Sequence, residues 1–219
     1  MDEQLEQEKL RFKRSLLFPV FFVTVLWVIK LLEYAFSLDL YYLGIYPLKL
    51  EGLIGIITSP LIHGDFQHLF NNTFPVLFLS VALFYFYRPI HFKIFILIYI
   101  FTGIWVWFGG RPSFHIGASG IIYGLASFLF FSGIIRNDVR LMAISLVVTF
   151  LYGSLIWGIF PLKEGISWES HLWGGVAGFI LSIFYRKHGP QRKKYDWEYE
   201  EEEEEGWEIE TDQKENNHY

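Results

Sequence analysis

From residue 15 to residue 185 the chain is a series of long apolar runs separated by short polar stretches that hold Gly, Pro or basic residues. A bilayer core about 30 Å thick needs roughly 20 apolar residues per helix. Six segments meet or approach that length: 15–36, 67–87, 92–110, 117–135, 139–160 and 169–185, the last being the shortest. The pattern predicts an all-α membrane protein, a bundle of six transmembrane helices. The connection at about residues 37–66 is long and only partly polar. Tyr41, Tyr42, Leu43, Ile45, Tyr46, Leu48 and Leu50 predict that it lies in the membrane interface. Its apolar stretch Leu53 to Leu61 is too short to span.

Both ends break the pattern. Residues 1–14 are charged, and no small-residue cleavage site follows the first apolar run, so that run reads as a retained span. Residues 187–219 are hydrophilic and include an unbroken acidic run, Glu200 to Glu205, which predicts a disordered tail. The domain reading is a segment 1–14, a membrane domain 15–186 and a tail 187–219.

Composition agrees with a polytopic membrane protein: 219 residues, 53% hydrophobic and 20% aromatic, with mean hydropathy +0.31. The net charge of −5 belongs to the tail, because from Arg186 onward there are 6 Lys/Arg against 12 Asp/Glu. The absence of cysteine excludes disulfides, a thiol nucleophile and thiolate metal sites. Basic residues cluster before helix 1, between helices 2 and 3, between helices 4 and 5, and after helix 6. The opposite loops hold only Lys49, Arg111 and Lys163. By the positive-inside bias both termini are cytoplasmic, and helices 2, 4 and 6 begin on the outer side.

Against this background a few polar residues lie too deep. Helix 2 opens with His63, His68 and Asn72; His68 and Asn72 are four apart and share a face. Helix 4 opens with Gly117-Ala118-Ser119-Gly120, and His171 opens helix 6. Polar groups in a span are costly and face the bundle interior or a wet cavity. Taken singly, each reads as an interhelical hydrogen bond. Together they converge under one outer surface. Gly120/Gly124 and Gly174/Gly178 form small-xxx-small pairs that let helix 4 approach helix 6 closely, bringing Ser119 to His171. A serine beside a neutral, partly desolvated imidazole is a minimal nucleophile–base unit. Unpaired N–H groups at the start of helix 4, with His68 and Asn72, would hold an oxyanion. Glu169 is two residues from His171 and points elsewhere on the helix, so the expected unit is a dyad. The competing chemistry is a metal site built from His63, His68 and His171 with His115, but no His-Glu-x-x-His pattern is present. Neither metal nor cofactor is therefore expected. Lys30 and Glu33 read as a snorkelling pair at the interface, and His115 has no assigned role.

Three motifs in this order, His63-x4-His68-x3-Asn72, Gly117-Ala118-Ser119-Gly120 and His171-x2-Gly174-x3-Gly178, make residues 15–186 resemble the rhomboid family of intramembrane serine proteases. The resemblance implies a six-helix rhomboid-like bundle with Ser119 as nucleophile and His171 as general base. His68, Asn72 and the Ser119 N–H would be the oxyanion donors. Tyr123 matches the position that packs on the catalytic histidine, while Gly117, Gly120 and His63 would support the site. The loop Pro161 to Trp168 would cap it, and helix 5, with Phe150, Tyr152 and Trp157, would be a lateral gate beside helix 2. Substrates would be single-span or other transmembrane proteins in the lipid bilayer, with no nucleic acid or metal partner, in a bacterial cytoplasmic (inner) membrane. The alternative is a non-catalytic rhomboid-like protein that binds membrane clients; such relatives usually lack the serine or the histidine. Many members carry a Trp-Arg pair in the first outer loop, and residues 37–62 contain neither.

Overall fold

The computed structural model describes residues 2–151, 160 and 167–189. Residues 161–166 of the expected cap, Tyr152 and Trp157 of the expected gate, and the acidic tail lie outside the described residues. Among the described residues the fold is helical and has no strand. Its long helices are α1 (Asp2–Ala35), α2 (Phe66–Phe86), α3 (His91–Gly109), α4 (Ser119–Arg136), α5 (Val139–Leu151) and α6 (Trp168–Phe184). Four of them, α1 to α4, are long and apolar enough to cross a membrane.

α4 is central. Every residue from Ser119 to Leu125 is buried, so neighbours enclose the helix on all sides. α6 packs mainly on α4 and also on α3. α5 packs on α4 and touches α2, and α1 lies against α2. The apolar core runs through this arrangement, with Leu26, Leu69, Leu79, Ile98, Leu125 and Phe128 fully enclosed.

α1 begins at Asp2, well before the residue 15 expected from hydropathy. Residues 2–14 are rich in strong helix formers, and Glu6–Lys9 and Glu8–Arg11 pair one turn apart. Arg11 also donates to the Tyr85 carbonyl at the end of α2 and stacks over the Tyr85 ring. The charged N-terminus is thus part of the first helix.

The first loop holds short 3-10 turns at Tyr41–Leu43, Leu50–Leu53 and Ser59–Leu61 and a one-turn helix at Gly55–Thr58. Its anchor is the C-terminal half of α3. Trp107 Nε1 donates to the Lys49 carbonyl, Leu48 N–H to the Trp107 carbonyl, and the Tyr99 hydroxyl to the Ile57 carbonyl. Gly103 on α3 leaves room for Ile56. These contacts fasten a loop that has no Trp-Arg pair.

Candidate active site

The seam between α4 and α6 is made of backbone. A Cβ on Gly174 would stand 2.0 Å from the Gly120 carbonyl oxygen, and one on Gly178 would stand 2.1 Å from that of Gly124. With no side chain in the way the two helices touch directly, as the paired small residues predict. At the N-terminal end of both helices Ser119 Oγ and His171 Nε2 are 2.8 Å apart, both residues buried. Tyr123, one turn into α4, stacks flat on the His171 ring with centroids 4.2 Å apart and planes 11° from parallel. A stacked ring holds the imidazole in one rotamer, with its Nε2 at the hydroxyl.

Ser119 is the first residue of α4, and the turn before it depends on Gly117. Its φ of +106° lies where a Cβ is strained, and a Cβ there would also strike the His68 ring at 2.8 Å. That close approach sets His68 and Asn72 beside the Ser119 turn; Asn72 Nδ2 is 3.8 Å from the same point. The register of α2 is fixed by Asp65, its N-cap, whose carboxylate accepts the His68 N–H at 2.6 Å. Asn72 is buried, and its Nδ2 is a donor with no hydrogen-bond partner among the described residues. A buried amide left unpaired costs free energy. Five of the predicted polar residues, His63, His68, Asn72, Ser119 and His171, thus gather at one end of the bundle.

His63 reaches the same cluster from the loop. Its ring sits edge-on to His68 with centroids 5.0 Å apart, and its Nε2 accepts the Ala118 N–H at 3.4 Å. Accepting there requires the unprotonated nitrogen. Burial, followed by the neighbouring His68, pushes the His63 pKa down to about 3.

Lys30 and Glu33 are not a snorkelling pair. Lys30 is buried, and its Nζ donates to Glu33 Oε2 (2.8 Å), the His63 carbonyl (2.9 Å) and the Gly64 carbonyl (3.0 Å). It therefore clamps the entry to α2 onto α1. Unpaired carbonyls of an irregular turn outcompete water for an ammonium that can reach them. A lysine inside a span three residues from a glutamate signalled a paired ammonium, but its position in the sequence could not say what else it binds. Glu169 turns away from the dyad as expected. Its Oε1 accepts the Arg111 N–H at 3.2 Å, and its Oε2 is 3.9 Å from His115 Nδ1. Sequence reasoning missed Asp65 as a cap, although Asp three residues before His68 is a recognisable helix start. It also missed Ser167 and Ser170, which carried no pattern. No group of three or more potential metal ligands occurs among the described residues.

Comparison with known proteins gives the family. A family model described as Rhomboid domain matches residues 51–188. Uncharacterized proteins of Mycobacterium tuberculosis and Mycobacterium bovis are 35% identical over 181 residues, 78% of this chain and 75% of theirs. A Bacillus subtilis protein that carries the provisional name rhomboid protease is 29% identical over 137 residues, 58% of this chain and 65% of its own. The chain belongs to the Rhomboid domain family of membrane proteins.

Proposed function

We propose that this protein is an intramembrane serine endopeptidase that cleaves a peptide bond in or next to a transmembrane helix of its substrate. The observation that carries the reading is the 2.8 Å contact between Ser119 Oγ and His171 Nε2 at the start of two touching helices. His171 Nε2 takes the hydroxyl proton as Oγ attacks the scissile carbonyl carbon. The carbonyl oxygen becomes an oxyanion, held by Asn72 Nδ2, His68 and the N–H groups of the Ser119 turn. Collapse breaks the C–N bond, and the leaving amine takes the proton from His171. Water, deprotonated by the same imidazole, then hydrolyses the acyl ester and returns the proton to Ser119. The unpaired Asn72 amide supports the oxyanion role, because a tetrahedral oxygen gives it the acceptor it lacks.

This cycle draws on side chains and water and uses neither metal nor cofactor. α5 and α6 complete a six-span bundle in this reading. In this reading both termini lie in the cytoplasm of a bacterial cell, which the basic clusters support, with the dyad near the outer face of the cytoplasmic membrane. The first loop lies in the outer interface, where Tyr42, Leu48 and Leu50 expose apolar surface. The substrate is a single-span or other transmembrane protein, reached through lipid. The test is cleavage of a transmembrane reporter by the purified protein. Ser119→Ala and His171→Ala should each remove nearly all turnover, and the double variant should be little worse than either, because residues acting as one unit are non-additive. More than a few per cent of wild-type cleavage by Ser119→Ala would show that another group is the nucleophile.

A further inference from the structure

His115 takes no part in the cycle above, yet it is buried at the outer end of the bundle, two residues before the Gly117 turn. Its backbone pairs with Ile45 in both directions: Ile45 N–H donates to the His115 carbonyl at 3.0 Å, and His115 N–H to that of Ile45 at 2.8 Å. Its ring faces the other way, toward the start of α6. Nε2 is 3.1 Å from the Arg111 carbonyl oxygen, which can only accept, so Nε2 carries the proton. Nδ1 is then an acceptor and takes the hydroxyl hydrogen of Ser167. Ser167 Oγ, its own proton committed, accepts from Ser170 Oγ at 2.8 Å.

Each link fixes the direction of the next, and the chain ends on the residue before His171. Ser167 is the N-cap of α6, yet its side chain makes no capping bond; its oxygen faces the Ser170 hydroxyl and its hydrogen goes to His115. Glu169 adds a second strut through the Arg111 N–H. Ser170, in turn, lies against Gly120, the residue after Ser119. Burial keeps the His115 imidazole below its usual pKa and so in the neutral form that this tautomer requires.

We infer that His115 is a positioning residue for the reaction, tethering the first turn of α6 through Ser167 and Ser170 so that His171 Nε2 meets Ser119 Oγ. This rests on the Ser119–His171 reading. The tether joins the first loop, the turn before Ser119 and the helix of His171. Displacement of a catalytic group by about 1 Å can cost on the order of 10²-fold in rate.

The test uses the purified full-length protein in detergent. It reads kcat and KM on a transmembrane reporter, the rate of Ser119 labelling by a fluorophosphonate, and the melting temperature. His115→Phe and Ser167→Ala should each lower kcat and labelling rate about tenfold or more with KM little changed. Together they should be no worse than the worse single, because they break one chain. His115→Asn places an oxygen acceptor near the Nδ1 position and should recover most of the loss. Should His115→Phe fail to fold, the comparison of Ser167→Ala with His115→Asn decides. Labelling of Ser167→Ala at the wild-type rate, a loss confined to KM, additive losses, or no rescue by Asn would each overturn the positioning role alone. A wild type that neither cleaves nor labels would overturn the dyad, and this role with it.

Discussion

α4 meets its two later partners in opposite ways. Toward α6 it presents Gly120 and Gly124, and backbone lies on backbone with no rotatable side chain between. Toward α5 the close approach is at the C-terminal end of α4, where Gly133 faces Met142. Toward the dyad the contact opens into a cavity of about 470 Å³ lined by Ser127, Phe131, Leu146, Thr149, Phe179 and, nearest the dyad, Tyr123 and His171. Leu146 and Val147 of α5 are more than half exposed, and Phe150 is 83% exposed. A glycine seam has no rotamers to exchange, so it holds a distance; a contact through long side chains can repack. The dyad sits on the first kind of contact, and the second borders it.

The largest effect is expected on the seam. Gly178→Val would drive side-chain atoms into the Gly124 carbonyl and the Phe128 amide, where overpacking typically costs about 1–3 kcal/mol and backbone offers no relief. Activity and melting temperature should fall together, although Gly178 touches no reacting atom. Full activity with normal melting would mean the helices are not in contact there.

A smaller effect separates the polar end of the bundle from α5, whose described residues include no histidine. The folded chain holds His63 neutral down to about pH 3, whereas an unfolded histidine takes up its proton near 6.5. Between those values the unfolded state binds more protons, so stability is undiminished above 6.5 and falls as pH drops below it. The melting temperature of the wild type should therefore decline from pH 7 to 4.5, and His63→Gln should flatten that decline. An equal slope in the variant would assign the acid sensitivity to other groups.

The smallest effect is expected on α5. Leu146→Ala removes a half-exposed side chain at a cavity edge, and changes away from packed features usually stay within about 0.5 kcal/mol. Melting should hardly move. A drop as large as that of Gly178→Val would erase the contrast between the two contacts.

Much of the tight region could be read from the sequence, because its signals are local. Gly120, Gly124, Gly174 and Gly178 repeat at helical spacing, and Ser119 and His171 open apolar runs that start on the same side. The converging helices then bring the two residues together. What could not be read involves partners far apart in the chain. Lys30 holds carbonyls 33 and 34 residues away, and His115 holds a serine side chain 52 residues away. A backbone acceptor leaves no mark on residue type, and a lone serine outside any pattern marks no partner, so neither pairing has a motif. The helix α1 is longer than its apolar run for another reason: hydropathy finds only that run, and a helical stretch of Glu, Gln, Lys and Arg precedes it.

The central claim is that Ser119 is an activated nucleophile because His171 is held against it. Fluorophosphonate labelling of the detergent-purified wild type, Ser119→Ala and His171→Ala proteins tests this without needing a substrate. The wild type should label at a single site mapped to Ser119, Ser119→Ala should not label at all, and His171→Ala should label far more slowly while melting normally. Labelling that persists in Ser119→Ala, or proceeds at the wild-type rate in His171→Ala, would contradict the account.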